Sequence, residues 1–422
     1  MAYYFKVSMF VLGLLTQVAF AQTKDTVISG ARIEVGDGTV IPSGSIVIHD
    51  GKISAVGENV TAPADANVID GKGWVVFPGF IDAYNTQGLK LPDAPSSRTA
   101  PDSRNTAPAT MWHANRKGIR SDIVAAKCLD LSSHLNDNYG MGITTALVAS
   151  GTGSIRGTAS IVDYAGTGVV LLSNAAEEIA LRGGGFGGGG YPGTLFGVTA
   201  LVRQILADAE TYASTDNPKP DKGFDNLKPL MNGQMPALFT ADTAREIVRA
   251  SRITDEFGLK LIVAGGREGY RELDLLKAKT IPVILSLDVP DAPTRKVETG
   301  PDATPQAVLD ERYNTWQERS RNAKILNDAG IPLAFSLGSS FADYLKGVRK
   351  IISFGLPRDA ALKAMTTGSA ALLEVGDKVG SIQVGKIANL VIMNGDFADE
   401  KSSIQTVFAE GKRIDLKKGG AK

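Results

Sequence analysis

Trp74-Val75-Val76-Phe77-Pro78-Gly79-Phe80-Ile81-Asp82 is where the hydrophobic pattern of the chain changes. Before it, Thr26–Val35, Ser45–Asp50 and Lys52–Gly57 alternate apolar and polar residues. Turn residues bound each run: Gly36-Asp37-Gly38, Pro42-Ser43-Gly44 and Asp50-Gly51. A period of two puts the apolar residues on one face, so these are half-buried strands joined by hairpins. After it the apolar runs become continuous, at Ile143–Val148, Pro236–Phe239, Leu259–Val263, Ile281–Leu287 and Ile331–Leu337. Such runs are strands covered on both faces. Helical patterns at Thr243–Phe257 and Ser340–Phe354 lie between some of them, which predicts a parallel sheet, open or closed into a barrel. With the run at Trp74 that makes six strands, and Ser160–Val162 and Val169–Leu172 are weaker candidates for the remaining two of a barrel. The alternating style returns after Val379, at Ser381–Gly385, Ala388–Gly395 and Ile404–Ile414. Neither terminal set can bury a core alone, so the two are expected to pair in one discontinuous β-sandwich.

Composition excludes several classes of function. The chain has 422 residues, with 45 basic and 45 acidic side chains, so no charge excess marks it for nucleic acid or an anionic membrane. At 43% hydrophobic and 21% charged it is an ordinary globular sequence. The single cysteine, Cys128, rules out an internal disulfide or a Cys-rich metal site and reads as a packing residue. Met1–Ala21 has Lys6 ahead of the apolar stretch Val7–Leu15 and ends Ala19-Phe20-Ala21, the form of a cleaved export signal. The expected product is periplasmic or secreted, and no later stretch is long and apolar enough to be a transmembrane helix. The expected divisions are 1–21 signal peptide, 22–77 first part of the sandwich, 78–377 barrel, 378–416 second part of the sandwich, and 417–422 tail.

Val76-Phe77-Pro78-Gly79-Phe80-Ile81-Asp82, preceded by Ile69-Asp70-Gly71-Lys72-Gly73, resembles the start of the first barrel strand in the amidohydrolase superfamily. Gly380-Ser381-Ile382-Gln383-Val384-Gly385-Lys386-Ile387-Ala388-Asn389-Leu390-Val391 resembles its return into the sandwich, with Asn389 where Asp is usual. Thr366–Leu373 resembles the segment just before that return. Tyr191-Pro192-Gly193-Thr194-Leu195-Phe196-Gly197 and Leu201-Val202-Arg203-Gln204 are similar to the exported, imidazolonepropionase-related branch. The resemblance implies an α/β fold: a TIM-like (β/α) barrel, incomplete or distorted if the weaker strands fail, plus the β-sandwich built from both termini. It also implies a lineage that hydrolyses C–N bonds, some of them dipeptide-like. One or two divalent metals would be held by a His-x-His pair, two more His, an Asp and often a bridging Lys or Glu.

The sequence departs from that ligand set at every position. Tyr84 and Thr86 stand where the His-x-His pair belongs, Thr240 where a further His would fall, and Gly338 where the last strand should offer Asp. Val263-Ala264-Gly265-Gly266-Arg267-Glu268 also lacks a His. Only three histidines exist, and His49, His113 and His134 are too far apart in sequence to form an imidazole pair. Tyr84, Thr86, Thr240 and Gly338 are therefore expected to line a pocket, with Asn85, Arg267, Glu268, Ser336 and Ser339 as ligand contacts. Asp82, Asp242, Glu268 and Asp288 could together serve a hard cation, although Asp242 reads as a helix N-cap. Arg156, Arg182 and Arg267 could clamp a carboxylate or form structural ion pairs. The glycine run at 183–190 lacks a Gly-Lys-Ser/Thr ending and reads as a lid, as does Leu91–Pro108. No serine sits in a nucleophile elbow. No catalytic residue, metal ligand or cofactor is assigned; Zn would enter only through an unusual ligand set. Two functions follow: a catalytically degenerate ligand- or partner-binding member, or an active C–N hydrolase with a non-standard ligand set. The partners expected are a small polar or peptide-like molecule and an active homologous subunit, not nucleic acid.

Overall fold

The computed structural model describes residues 24–93, 118–166, 168–181, 193–295, 300, 303–337 and 343–416. The expected signal peptide, His113, Arg182, Gly338 and Ser339 lie outside the described residues, as do most of the two expected lids.

Five strands open the chain: β1 (Thr26–Glu34), β2 (Val40–His49), β3 (Lys52–Gly57), β4 (Asn67–Asp70) and β5 (Val75–Pro78). Eight follow: β6 (Phe80–Asn85), β7 (Ile143–Val148), β8 (Ile155–Asp163), β9 (Val169–Ala180), β10 (Ala237–Ala241), β11 (Leu261–Gly265), β12 (Val283–Ser286) and β13 (Leu333–Ser336). Three close the chain: β14 (Leu390–Met393), β15 (Ile404–Ala409) and β16 (Lys412–Ile414).

The first five and last three strands form one eight-stranded sheet, ordered β16-β15-β14-β5-β1-β2-β3 with β4 also on β1. The termini therefore pair through β14 and β5, which run antiparallel from Leu390–Pro78 to Met393–Val75. The sequence suggested a sandwich; the hydrogen bonding is instead that of one continuous sheet. Its β3 edge meets the segment leading into β14, where Ile53 N donates to Lys386 O at 2.9 Å. Ile28, Ile33, Ile46, Ile53, Leu390 and Phe408 fill the concave core this creates.

The run at Trp74 is two strands, not one. Gly79 separates β5 from β6 and hands the chain from one sheet to the other. A Cβ here would lie 2.1 Å from Thr144 Oγ1, so the close approach of the two sheets requires glycine. Gly79 N donates to Asn389 O at 2.8 Å, and the Asn389 amide donates to the Asp163 carboxylate. Asn389, the departure from the superfamily's Asp, thus ties the terminal sheet to the barrel. Burial pushes Asp163 up to about 6, while the Asn389 bond works the other way.

The second sheet is an eight-stranded, nearly closed barrel ordered β6 to β13. All six strong strand candidates are present, and the two weak ones are the hairpin β8–β9. That hairpin corrects the parallel expectation, because β8 runs antiparallel to both β7 and β9. The rest of the barrel is parallel. At the seam no β13–β6 ladder is formed. Instead Leu337 N donates to Asp82 Oδ1 at 3.1 Å and Tyr344 OH to Ile81 O at 2.8 Å. Ile81, Ala83, Leu147, Ile161, Leu238 and Ile284 pack inside the barrel. A larger shell cluster, including Phe80, Tyr164, Phe239 and Phe335, packs the outer faces against helices. The expected helix after β10 spans Ala244–Glu256, but its N-cap is Thr243, in a capping box with Glu246. Asp242 is instead 3.6 Å from Arg267.

Candidate functional site

The C-terminal ends of the parallel strands define the mouth of the barrel, and side-chain alternation decides what faces into it. Leu238 is interior, so Thr240 is too; by the same phase Ile284 brings in Ser286, and Ala334 brings in Ser336. β6 reaches the same layer by a bulge. One extra residue between Asp82 and Asn85 turns Tyr84 against the interior cluster. Ala176 is interior on β9, so Glu178 points in two residues further on.

Glu178 is fully buried and organises this layer. Its Oε1 accepts from Tyr84 OH at 2.6 Å and from Arg156 Nη1 at 2.8 Å, and its Oε2 accepts from Gly151 N at 2.9 Å. Arg156 is held in turn, donating from Nε to Gly153 O at 2.8 Å. Gly151 is in the left-handed region at φ 67°, which lets the loop after β7 bend back over the carboxylate. Arg156 is thus a structural partner rather than a free clamp. Burial, and then the adjacent Glu178 charge, push the Tyr84 hydroxyl well above its ordinary range, so it remains a phenol and a donor. Thr240 Oγ1 is buried with no hydrogen-bond partner among the described residues, an open polar position within the mouth.

The other expected contacts lie elsewhere. Thr86 is exposed, on the rim beside Gly151. Asn85 faces the shell: its Nδ2 donates to Tyr164 OH at 3.4 Å and its Oδ1 accepts from Gln87 N at 2.7 Å. Arg267 is on the rim, 3.3 Å from Asp288 and 3.6 Å from Asp242. Glu268 is paired with Arg319 and accepts from Ala244 N at 3.1 Å. Burial raises Glu268, but that amide and Arg319 outweigh it and hold the carboxyl below its usual range. Asp82, Asp242, Glu268 and Asp288 therefore do not form a cation site; each is committed to a structural contact or to the seam. Ser336 is buried and in phase with the mouth. His49 pairs with Asp25 beside the terminal sheet, and His134 precedes the helix Leu135–Gly140 that leads into β7. Cys128 is partly exposed rather than a core residue.

The interior residues do not fit a Zn-like ion. Such a site needs three or four imidazole, thiolate or carboxylate donors. This layer offers a phenol, neutral hydroxyls and one carboxylate whose oxygens already accept from Tyr84, Arg156 and Gly151. Among the described residues, no three His, Cys, Asp or Glu side chains are grouped as metal ligands. What the arrangement can do is bind: hydroxyls from Thr240, Ser286 and Ser336 share the strand-end layer with the hydrogen-bonded Tyr84–Glu178–Arg156 cluster. Glu178 and Ser286 escaped the sequence reading. The signal for Glu178 was present, since Glu177-Glu178 interrupts the otherwise apolar stretch Ala175–Ala180.

The architecture is a nearly closed barrel, fed by a sheet from both chain ends and carrying a polar mouth. Residues 318–414 match the Amidohydrolase family. The imidazolonepropionase of Streptomyces avermitilis is 27% identical over 392 residues, covering 88% of this chain and 84% of that protein. The imidazolonepropionase of Solibacter usitatus is 26% identical, covering 85% and 86%. The crystal structure of an amidohydrolase from Thermotoga maritima shares the fold, with a TM-score of 0.72 at 20% identity over 92% of this chain and 99% of that one. The chain is thus similar to the amidohydrolases at its C-terminal end and to imidazolonepropionases along most of its length.

Proposed function

We propose that this protein is a catalytically degenerate amidohydrolase that uses its barrel mouth to bind a small polar or peptide-like ligand. The observation that carries this reading is the engagement of Glu178: the mouth's interior carboxylate accepts three hydrogen bonds, from Tyr84, Arg156 and the Gly151 amide. A hydrolase of this lineage must make hydroxide near neutral pH, which needs a metal to lower the pKa of water to ~7 or a free base within reach of it. Among the described residues neither a fitting donor set nor a free base faces the mouth. Thr240 Oγ1, buried and unpaired among the described residues, is suited to contacting a polar ligand, as are Ser286 and Ser336 on β12 and β13.

Superfamily relatives hydrolyse C–N bonds, so the direct test is turnover. Purified protein is incubated with N-acyl amino acids, dipeptides, cyclic amides and imidazolonepropionate, with and without added Zn²⁺ or Mn²⁺. The expected result is no hydrolysis above buffer under any condition. Metal-dependent turnover abolished by Thr240→Ala would establish the other reading, an active hydrolase with an unusual ligand set.

Export to the periplasm or medium belongs to the same proposal, with an active homologous subunit as a candidate partner. N-terminal sequencing of the mature protein is expected to begin at Gln22. Intact Met1 on the mature protein would contradict it.

A further inference from the structure

We infer that the barrel carries a second ligand site at the end opposite the mouth, one that takes a small zwitterion with an aliphatic body, such as an apolar dipeptide. A cavity of about 540 Å³ opens there, within the range of small-molecule sites. Pro236, Lys260 and Pro282 stand immediately before β10, β11 and β12, so the opening is at the strands' N-terminal ends. Its deep wall is Leu147, Ala176 and Ile262, which belong to the barrel interior, and Leu373 closes it from the segment after the helix Thr367–Leu372. The small side chains of Ala175 and Ala176 leave the space that a ligand body would fill.

Thr280 and Glu374 both line it, in the left-handed region at φ 51° and 58°. Each is the residue just past a helix end: Ile281 N donates to Leu276 O and Val375 N to Ala370 O, the long bond of a Schellman cap, which accounts for the conformation. What marks the cavity as more than a packing gap is the selective pairing of its rim charges. Lys279 is engaged by Asp255 and donates to Ser251 Oγ at 2.9 Å. Lys260 and Glu374 have no ion-pair partner among the described residues. One cation and one anion at the rim of an apolar cavity match a carboxylate and an ammonium on one ligand. They match neither a fatty acid nor an alkylamine as well, since either would face one like charge.

Isothermal titration of the mature protein with L-leucyl-L-leucine, octanoate and octylamine tests this. Saturable binding of the dipeptide at one per chain is expected, at least about tenfold tighter than either single-charge probe. Lys260→Gln and Glu374→Gln, both at exposed positions, should each weaken it about tenfold. Ala175→Trp, which fills the cavity and leaves the mouth unchanged, should abolish it. The inference is overturned by no saturable heat up to about 10 mM dipeptide. It is equally overturned by octanoate or octylamine binding as tightly, or by dipeptide binding that all three variants leave intact. Because the glutamine variants alter only exposed side chains, they decide the matter even if the tryptophan variant does not fold. Loss of the Ala175→Trp-sensitive binding would not touch the reading of the mouth.

Discussion

Arg156→Ala is expected to destabilise the protein by about 3–5 kcal/mol, the cost of breaking a buried ion pair from one side. The Glu178 side chain is fully buried and that of Arg156 only 12% exposed, so the pair is screened little by solvent. Removing the guanidinium leaves the carboxylate with Tyr84 OH and Gly151 N alone, in a barrel interior that cannot rehydrate it. The second substitution Glu178→Gln on that background should recover part of the loss, because it removes the stranded charge. Urea unfolding of the single and double variants measures both effects. A loss below about 1 kcal/mol for Arg156→Ala would mean the pair behaves as a surface contact and that the mouth is wetter than described.

Asp82→Asn should stabilise the protein at alkaline pH and do little at acidic pH. Asp82 is wholly buried at the seam; its Oδ1 accepts from Leu337 N, while its Oδ2 has no partner. Burial raises this carboxyl to about 7, against the smaller opposing effects of the Leu337 and Tyr84 amides. In the unfolded chain it ionises near 4. The folded state therefore binds more protons than the unfolded one between those values, and stability falls as pH rises through that window. The contribution is complete below about pH 4, lost above about pH 7, and on the order of 4 kcal/mol from the size of the shift. Asparagine keeps an acceptor for Leu337 N and cannot ionise. Urea midpoints at pH 4 and pH 8.5 should nearly coincide at the lower value, with the variant ahead at the higher. Asp163 and Glu177, also raised by burial, tilt both curves alike and drop out of the difference. Equal destabilisation of Asp82→Asn at both pH values would show that Oδ2 has a partner in solution.

Much of this architecture is legible in the sequence because burial writes itself into apolar runs. β7 and β10–β13 are covered on both faces and read as continuous hydrophobic segments. β8 and β9 are harder, since Arg156, Gly157, Glu177 and Glu178 interrupt them; two of those interruptions, Arg156 and Glu178, are in the site. A strand that must present a buried carboxylate to the mouth loses the pattern by which strands are recognised. The bulge in β6 is likewise invisible. Nothing in Asp82-Ala83-Tyr84-Asn85 announces that Tyr84, rather than Asn85, turns inward, because a bulge is set by the pairing with β7. The absence of the superfamily's His and Asp is plain in the sequence, whereas the engagement of Glu178 by a loop amide, a tyrosine and an arginine requires the fold. Arg267 and Glu268 show the opposite limit: two charges at a strand end look functional in sequence, yet Asp242, Asp288 and Arg319 occupy them.

The central claim is that the mouth holds no catalytic metal, and elemental analysis of protein purified without chelator tests it most directly. The account predicts Zn, Mn, Fe and Co together well below one tenth of an atom per chain, roughly the level of adventitious binding, and no change after incubation with excess Zn²⁺ and desalting. About one tightly held metal per chain, lost together with hydrolytic turnover on chelation and restored with it on reloading, would contradict the account.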